Sequence, residues 1–146
     1  MPQMIRNTFS IAFWVYHRET SSRSILFGNH ALDGTLSFNI EKKATSNLLR
    51  IYMNQDPDYT ANCVLEENSW IHIAITKTPT ELKVYKNGEC VATRTNSSED
   101  SWSAANGTVY RIGRDSRSED TALNGMINDL RIYDHVLSKK EISALA

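Results

Sequence analysis

Residues 70–95, WIHIAITKTPTELKVYKNGECVATRT, decide the fold class. At their start Ile71, Ile73 and Ile75 alternate with His72, Ala74 and Thr76, the two-residue period of a strand that buries one face. Runs of strand-formers at 82–86 and 90–95 then flank Asn87-Gly88. A two-residue hairpin turn needs positive φ at its centre, and Asn-Gly meets that need at little steric cost. The pattern predicts a strand at 70–77 and a hairpin of strands 82–86 and 90–95, with Leu82 and Val84 facing the core.

The same pattern extends in both directions. Residues 9–16, FSIAFWVY, put Phe9, Ile11, Phe13 and Val15 on one face. Trp14 and Tyr16 fall on the other with Ser10 and Ala12. Further strands are expected at 24–29, 35–40, 48–53, 62–65, 108–113 and roughly 123–133, with Asp33-Gly34 marking a tight turn. The polar stretches at 95–107 and 114–122 read as loops. Short strands broken by turn residues about every ten positions are what an antiparallel sandwich produces. Ser138 and Glu141 form a capping box, with Leu137 and Ile142 placed as a hydrophobic staple, so one short helix closes the chain. At about two turns it must be held by packing. The fold expected is an all-β antiparallel β-sandwich with one short C-terminal helix, a single domain over 1–146.

Bulk properties remove several functions. A net charge of -1 gives no field to draw nucleic acid or an anionic membrane. The basic residues are scattered, and only Lys42–Lys43 and Lys139–Lys140 are adjacent. No apolar run approaches the roughly 20 residues of a membrane span. The start, MPQMIRNTFS, lacks a signal-peptide core, so the chain reads as one not exported by that route, or as a mature or excised segment. Cys63 and Cys90 make neither a disulfide framework nor a zinc site. Two free, mostly buried thiols are favoured over a single bridge, and whether they pair stays open.

Four stretches in order carry a resemblance: FSIAFWVY, then Trp70-Ile71-His72-Ile73-Ala74, then LKVYKNGE, then LNGMINDLRIYDHVLSKKEI. Together they resemble the laminin-G-like, concanavalin A-like jelly-roll domains over nearly the whole chain. The last 24 residues are the most specific part. RIYDHVLSKKEI is especially similar to lectin-like modules of bacteriophage tail and bacterial surface proteins. The resemblance implies a jelly roll that serves recognition. Two departures stand out. Only eight residues precede Phe9, where relatives carry another strand, and Asn128 replaces the first acid of the family's closing strand, leaving Asp129. The first departure predicts a short or exposed sheet edge, in a chain that is either an excised module or one that associates with another chain through that edge.

Relatives of this kind include glycoside hydrolases, whose chemistry needs two opposed carboxyls. Here no Glu is followed by an Asp two residues on. Glu66–Glu67, Glu99–Asp100 and Glu119–Asp120 are adjacent pairs, which point oppositely on a strand and read as solvated loops. No nucleophile elbow, HExxH motif or phosphate-binding glycine loop occurs, so no catalytic residue is assigned. His17, His30, His72 and His135 are dispersed, and His72 reads as a packed strand residue. Cofactors are expected to be none, with calcium left open. Asp56 and Asp58 in NQDPDYTAN, with Glu67 further on, are its weak local candidates, and Asp129 is another. A solvated turn around Pro57 is the simpler reading. The triplets at Asn96 and Asn106 match the glycosylation sequon but read as loop composition.

Two functions follow from different classes. One is a non-catalytic carbohydrate-binding or adhesion module of a phage appendage or bacterial surface protein, whose partner is a cell-surface glycan or a neighbouring domain. The other is a structural spacer or oligomerisation domain. For glycan binding, sugar C–H faces stack on aromatic rings while polar groups fix orientation. Tyr59 and Trp102 in loops beside Asp56, Asp58, Glu99 and Asp100 are candidates, as are outward Trp14 and Tyr16. The competing reading of Trp14 and Tyr16 is a second small core beneath a helix or loop.

Overall fold

A computed structural model describes residues 8–19, 21–28, 38–53, 56–95, 110–114 and 122–146, with backbone alone at 53 and 56–58. Its strands are β1 Phe9–His17, β2 Ser24–Gly28, β3 Phe38–Lys42, β4 Leu48–Met53, β5 Asp56–Val64 and β6 Trp70–Lys77. They continue as β7 Glu81–Lys86, β8 Glu89–Thr95, β9 Arg111–Ile112 and β10 Gly125–Tyr133, and helix α1 spans Lys139–Leu145. Two five-stranded sheets form, in the orders β10-β1-β6-β7-β8 and β5-β4-β3-β2-β9. Every pairing is antiparallel.

The alternation read in β1 and β6 holds. Phe9, Ile11, Phe13 and Val15 meet Ile71, Ile73 and Ile75 in the core between the sheets, all at most 2% exposed. Leu82 and Val84 face it from β7, as expected. From the other sheet come Phe38, Ile40, Leu49 and Ile51. Phe9 meets Phe38 edge to face across the sandwich, centroids 5.5 Å apart. Each fully buried side chain of this size contributes about 1.5–3 kcal/mol relative to exposure.

The hairpin turns at Asn87 and Gly88, with φ of 51° and 86°, and Lys86 pairs Glu89 across it. The helix starts as predicted: Glu141 N–H donates to Ser138 Oγ at 3.1 Å, and Ser138 N–H donates to Glu141 Oε1 at 3.1 Å. Leu137 and Ile142 pack with Ala12, Ala74 and Tyr85 in a second, smaller cluster outside the first sheet. Ser10 anchors this approach by donating to the His135 carbonyl at 2.8 Å and accepting from Leu137 N–H at 2.8 Å.

Several boundaries differ from expectation. The strand expected at 62–65 begins at Asp56, so the turn expected around Pro57 is strand backbone. The strand expected at 35–40 is Phe38–Lys42; residues 35–37 lie outside the described residues, as does the Asp33-Gly34 turn. In β10 strict alternation fails. Asp129 takes φ 51° in a bulge opposite Phe13, between the Ala12–Arg131 and Trp14–Asn128 pairs, and Asn128 Oδ1 accepts its N–H at 2.9 Å. The extra residue resets the phase, so that Ile127, Leu130 and Ile132 all pack on the core.

Candidate functional site

The strand period that buries Phe13 and Val15 turns Trp14 and Tyr16 outward. Register then sets Trp14 opposite His72 and Tyr16 opposite Trp70. The Trp14 and His72 rings meet at 5.2 Å edge to face, and the Tyr16 and Trp70 rings lie tilted at 5.6 Å. Arg18 sits over Tyr16, 5.5 Å from the ring centre. On the other flank β10 pairs Met126 with Tyr16 and Asn128 with Trp14. Trp14 and Tyr16 are half-buried, while Trp70 is 43% and Met126 42% exposed. The small cluster under α1 contains neither Trp14 nor Tyr16, so among the described residues the helix leaves the aromatic strip uncovered.

His72 lies beneath this strip, 2% exposed, and among the described residues its Nδ1 has no hydrogen-bond partner. Burial pushes its imidazole below the ordinary histidine range, against the pull of nearby Asp129. It is a packed strand residue.

The other sheet presents a polar outer face. One cross-strand row runs Arg111, Gly28, Asn39, Tyr52, and the next runs Ile25, Glu41, Arg50, Thr60. Glu41 is 1% exposed; it accepts from Arg50 at 2.9 Å and lies 3.8 Å from Arg23. The Arg50 guanidinium sits 5.7 Å from the centre of the Tyr52 ring. Sequence reasoning missed this group. Its signal was Asn39 and Glu41 alternating with core-facing Phe38 and Ile40, but pairing Glu41 with Arg50 requires the β3–β4 register.

The other expected site residues are dispersed. Tyr59 is not in a loop: it belongs to β5, opposite Ile51, and packs against the core with Arg94 5.2 Å from its ring centre. Asp56 and Asp58 lie in the same strand, and their side chains are outside the described residues, as are Trp102, Glu99 and Asp100. The exposed Asp129 carboxylate accepts from Arg131 Nε at 2.9 Å. Among the described residues no three His, Cys, Asp or Glu side chains gather to hold a metal ion. Glu66 is exposed and bonded to Lys86, and Glu67 accepts from Asn47. Both cysteines are free, but only Cys63 is buried; Cys90, expected inside, is exposed on edge strand β8.

Comparison with known proteins places this geometry in a wider group. A family model described as the concanavalin A-like lectin/glucanases superfamily matches residues 2–143. Mouse pentraxin-related protein PTX3 is 25% identical over 147 residues, covering 94% of this chain. The chain spans 38% of the length of that relative. Among solved structures, domain 4 of the extracellular arabinanase AbnA of Geobacillus stearothermophilus, in complex with arabinotriose, superposes with TM-score 0.77. It is 22% identical, over 97% of this chain and 67% of its own. The Ruminococcus gnavus IT-sialidase CBM40 bound to α2,3-sialyllactose gives TM-score 0.75 at 17% identity, over 97% of this chain and 83% of its own. At these identities the structural likeness establishes the shared sandwich.

Proposed function

The chain belongs to the concanavalin A-like lectin/glucanases superfamily, and from that membership we propose that it is a non-catalytic glycan-binding module of a phage appendage or surface protein. The observation that carries this reading is the open strip of Trp14, Tyr16 and Trp70 beside α1. Rings already ordered by cross-strand packing offer a stacking surface at low entropic cost, and Arg18, Asn128 and Arg131 supply polar edges. The arabinotriose and sialyllactose complexes of similar folds support the choice of glycan. The appendage setting rests on the resemblance of the closing residues 131–142. Extracellular or virion placement belongs to the same proposal; among the described residues no helix is long and apolar enough to cross a membrane.

The test is a glycan array with Trp70→Ala and Trp14→Ala, read together with thermal melting. Lost binding by Trp70→Ala at an unchanged melting temperature supports the strip. Undiminished binding by both variants would remove it. Trp102, Asp56 and Asp58 stay in the proposal as candidate contacts separate from the strip and are tested by alanine in the same assay. Melting with calcium and with chelator tests the ion, and identical midpoints would end that part.

A structural role in an assembly is the alternative. It is favoured by edge strand β8, which among the described residues pairs on one side only and exposes Val91. A silent array together with concentration-dependent association in light scattering would select it.

A further inference from the structure

Three outward residues at one end of the β10–β1–β6 face make a trough. Tyr16 of β1 stands between Met126 of β10 and Trp70 of β6 in a single cross-strand row. Tyr16 is half-buried whereas Trp70 is 43% and Met126 42% exposed, so the row is low at its centre and high at its flanks. The Trp70 ring is inclined 53° to the Tyr16 ring, a wall beside a floor. The two flanking strands are two inter-strand spacings apart, about 10 Å. That width admits one sugar ring and not two abreast. Just past β1 the exposed Arg18 closes one end, its guanidinium 5.5 Å from the Tyr16 ring centre. Its backbone N–H is bonded to the Asn124 carbonyl at 2.8 Å, and among the described residues no carboxylate pairs with its guanidinium. The Trp70 wall is also held. Asn68 N–H donates to the His17 carbonyl at 2.8 Å, and His17 Nε2 donates to the Leu65 carbonyl at 2.6 Å. The segment leading into Trp70 is thereby tied to β1 before any ligand arrives, which limits the freedom lost on binding.

We infer that this trough receives the terminal residue of a glycan and selects an N-acetylated sugar. The inference rests on the glycan-binding reading and names its ligand class. A trough closed at one end takes a chain end, and the rest of the glycan leaves along β1 over Trp14. Rings inclined to one another offer the successive sugars of an extended polymer no common stacking plane. Both walls are apolar, and the Met126 thioether adapts its shape to a small apolar group. An unsubstituted hexose would set hydroxyls against these walls without partners. An acetamido methyl instead buries between them. Arg18 offers donors and no acceptor, which matches the acetamido carbonyl. A carboxylate would satisfy Arg18 equally but leave the walls without an apolar partner.

The test is a glycan array of matched pairs, each glycan ending in an N-acetylhexosamine beside the same glycan ending in the parent hexose. A length series of one such glycan accompanies it. Loss of the acetamido group should weaken binding by about ten-fold or more, the size of a lost hydrogen bond to a charged group. Lengthening the chain beyond the disaccharide should leave affinity unchanged. Met126→Ala and Arg18→Ala, both at exposed positions, should each narrow the preference for the acetamido form at the parental melting temperature. Met126→Gln and Arg18→Gln serve if the alanine variants are unstable. Trp70→Ala should weaken both members of a pair. Equal binding within the pairs, affinity that climbs with chain length, or variants that keep the full preference overturns this inference and leaves the glycan-binding reading standing. Binding of no glycan at all overturns both.

Discussion

Asn87 grips the backbone of His72 at two points: its Oδ1 accepts the His72 N–H at 2.9 Å, and its own N–H donates to the His72 carbonyl at 2.8 Å. The residue that makes the hairpin turn also extends the β6 ladder by one more pair. Asn87→Ala should therefore cost about 1–2 kcal/mol, combining a buried N–H left without its partner and a left-handed φ that alanine resists. Asn87→Gly removes the backbone strain but not the lost bond. Gly88→Val should cost more than about 1 kcal/mol, since a β-branched residue opposes positive φ. Urea midpoints of the three variants check the ordering, and a parental midpoint for Gly88→Val would rule out the turn.

Ser10 is the buried link between β1 and the C-terminal helix. Ser10→Ala leaves the Leu137 N–H and the His135 carbonyl without that partner, at an expected cost of about 1–3 kcal/mol. Amide exchange in α1 should quicken more than exchange in β4. Uniform exchange across both elements would show that the helix does not depend on this link.

His72 makes stability pH-dependent, with a definite sign. Burial lowers its folded pKa below the unfolded value of about 6.5. The unfolded chain then binds the proton first as pH falls. The contribution is fully present above the unfolded pKa and is lost as pH drops toward the folded one. His72→Gln should flatten the decline in stability between about pH 7 and pH 5, a window set by that unfolded value. An unchanged slope in denaturation measured across this window would assign the decline to other groups.

The two thiols should react at very different rates. Burial pushes the Cys63 thiol up to about 11, whereas Cys90 lies exposed on β8. The thiolate is the nucleophile, so a thiol reagent at mildly alkaline pH should label Cys90 rapidly and Cys63 only after denaturation. Rapid labelling of both in the native protein would show that β5 opens readily.

By itself, the sequence determined the elements whose period is uninterrupted and whose ends carry local chemistry. β1 and β6 show their core faces by simple alternation, the 87–88 turn by its demand for positive φ, and α1 by the Ser138–Glu141 box. These signals act between near neighbours, so they are legible in one dimension. The outward direction of Trp14 and Tyr16 followed from the same alternation. Tertiary structure alone decided that α1 does not cover them, because the helix arrives from more than a hundred residues away and packs over Ala12 and Ala74. It also decided the β10 phase, where the Asp129 bulge breaks the two-residue period, and the inward placement of Tyr59, which follows from β5 pairing with β4. The Glu41–Arg50 pair belongs to the same class. Each residue reads as an ordinary polar strand position until register brings the carboxylate and guanidinium together on a covered face, where desolvation makes their pairing matter.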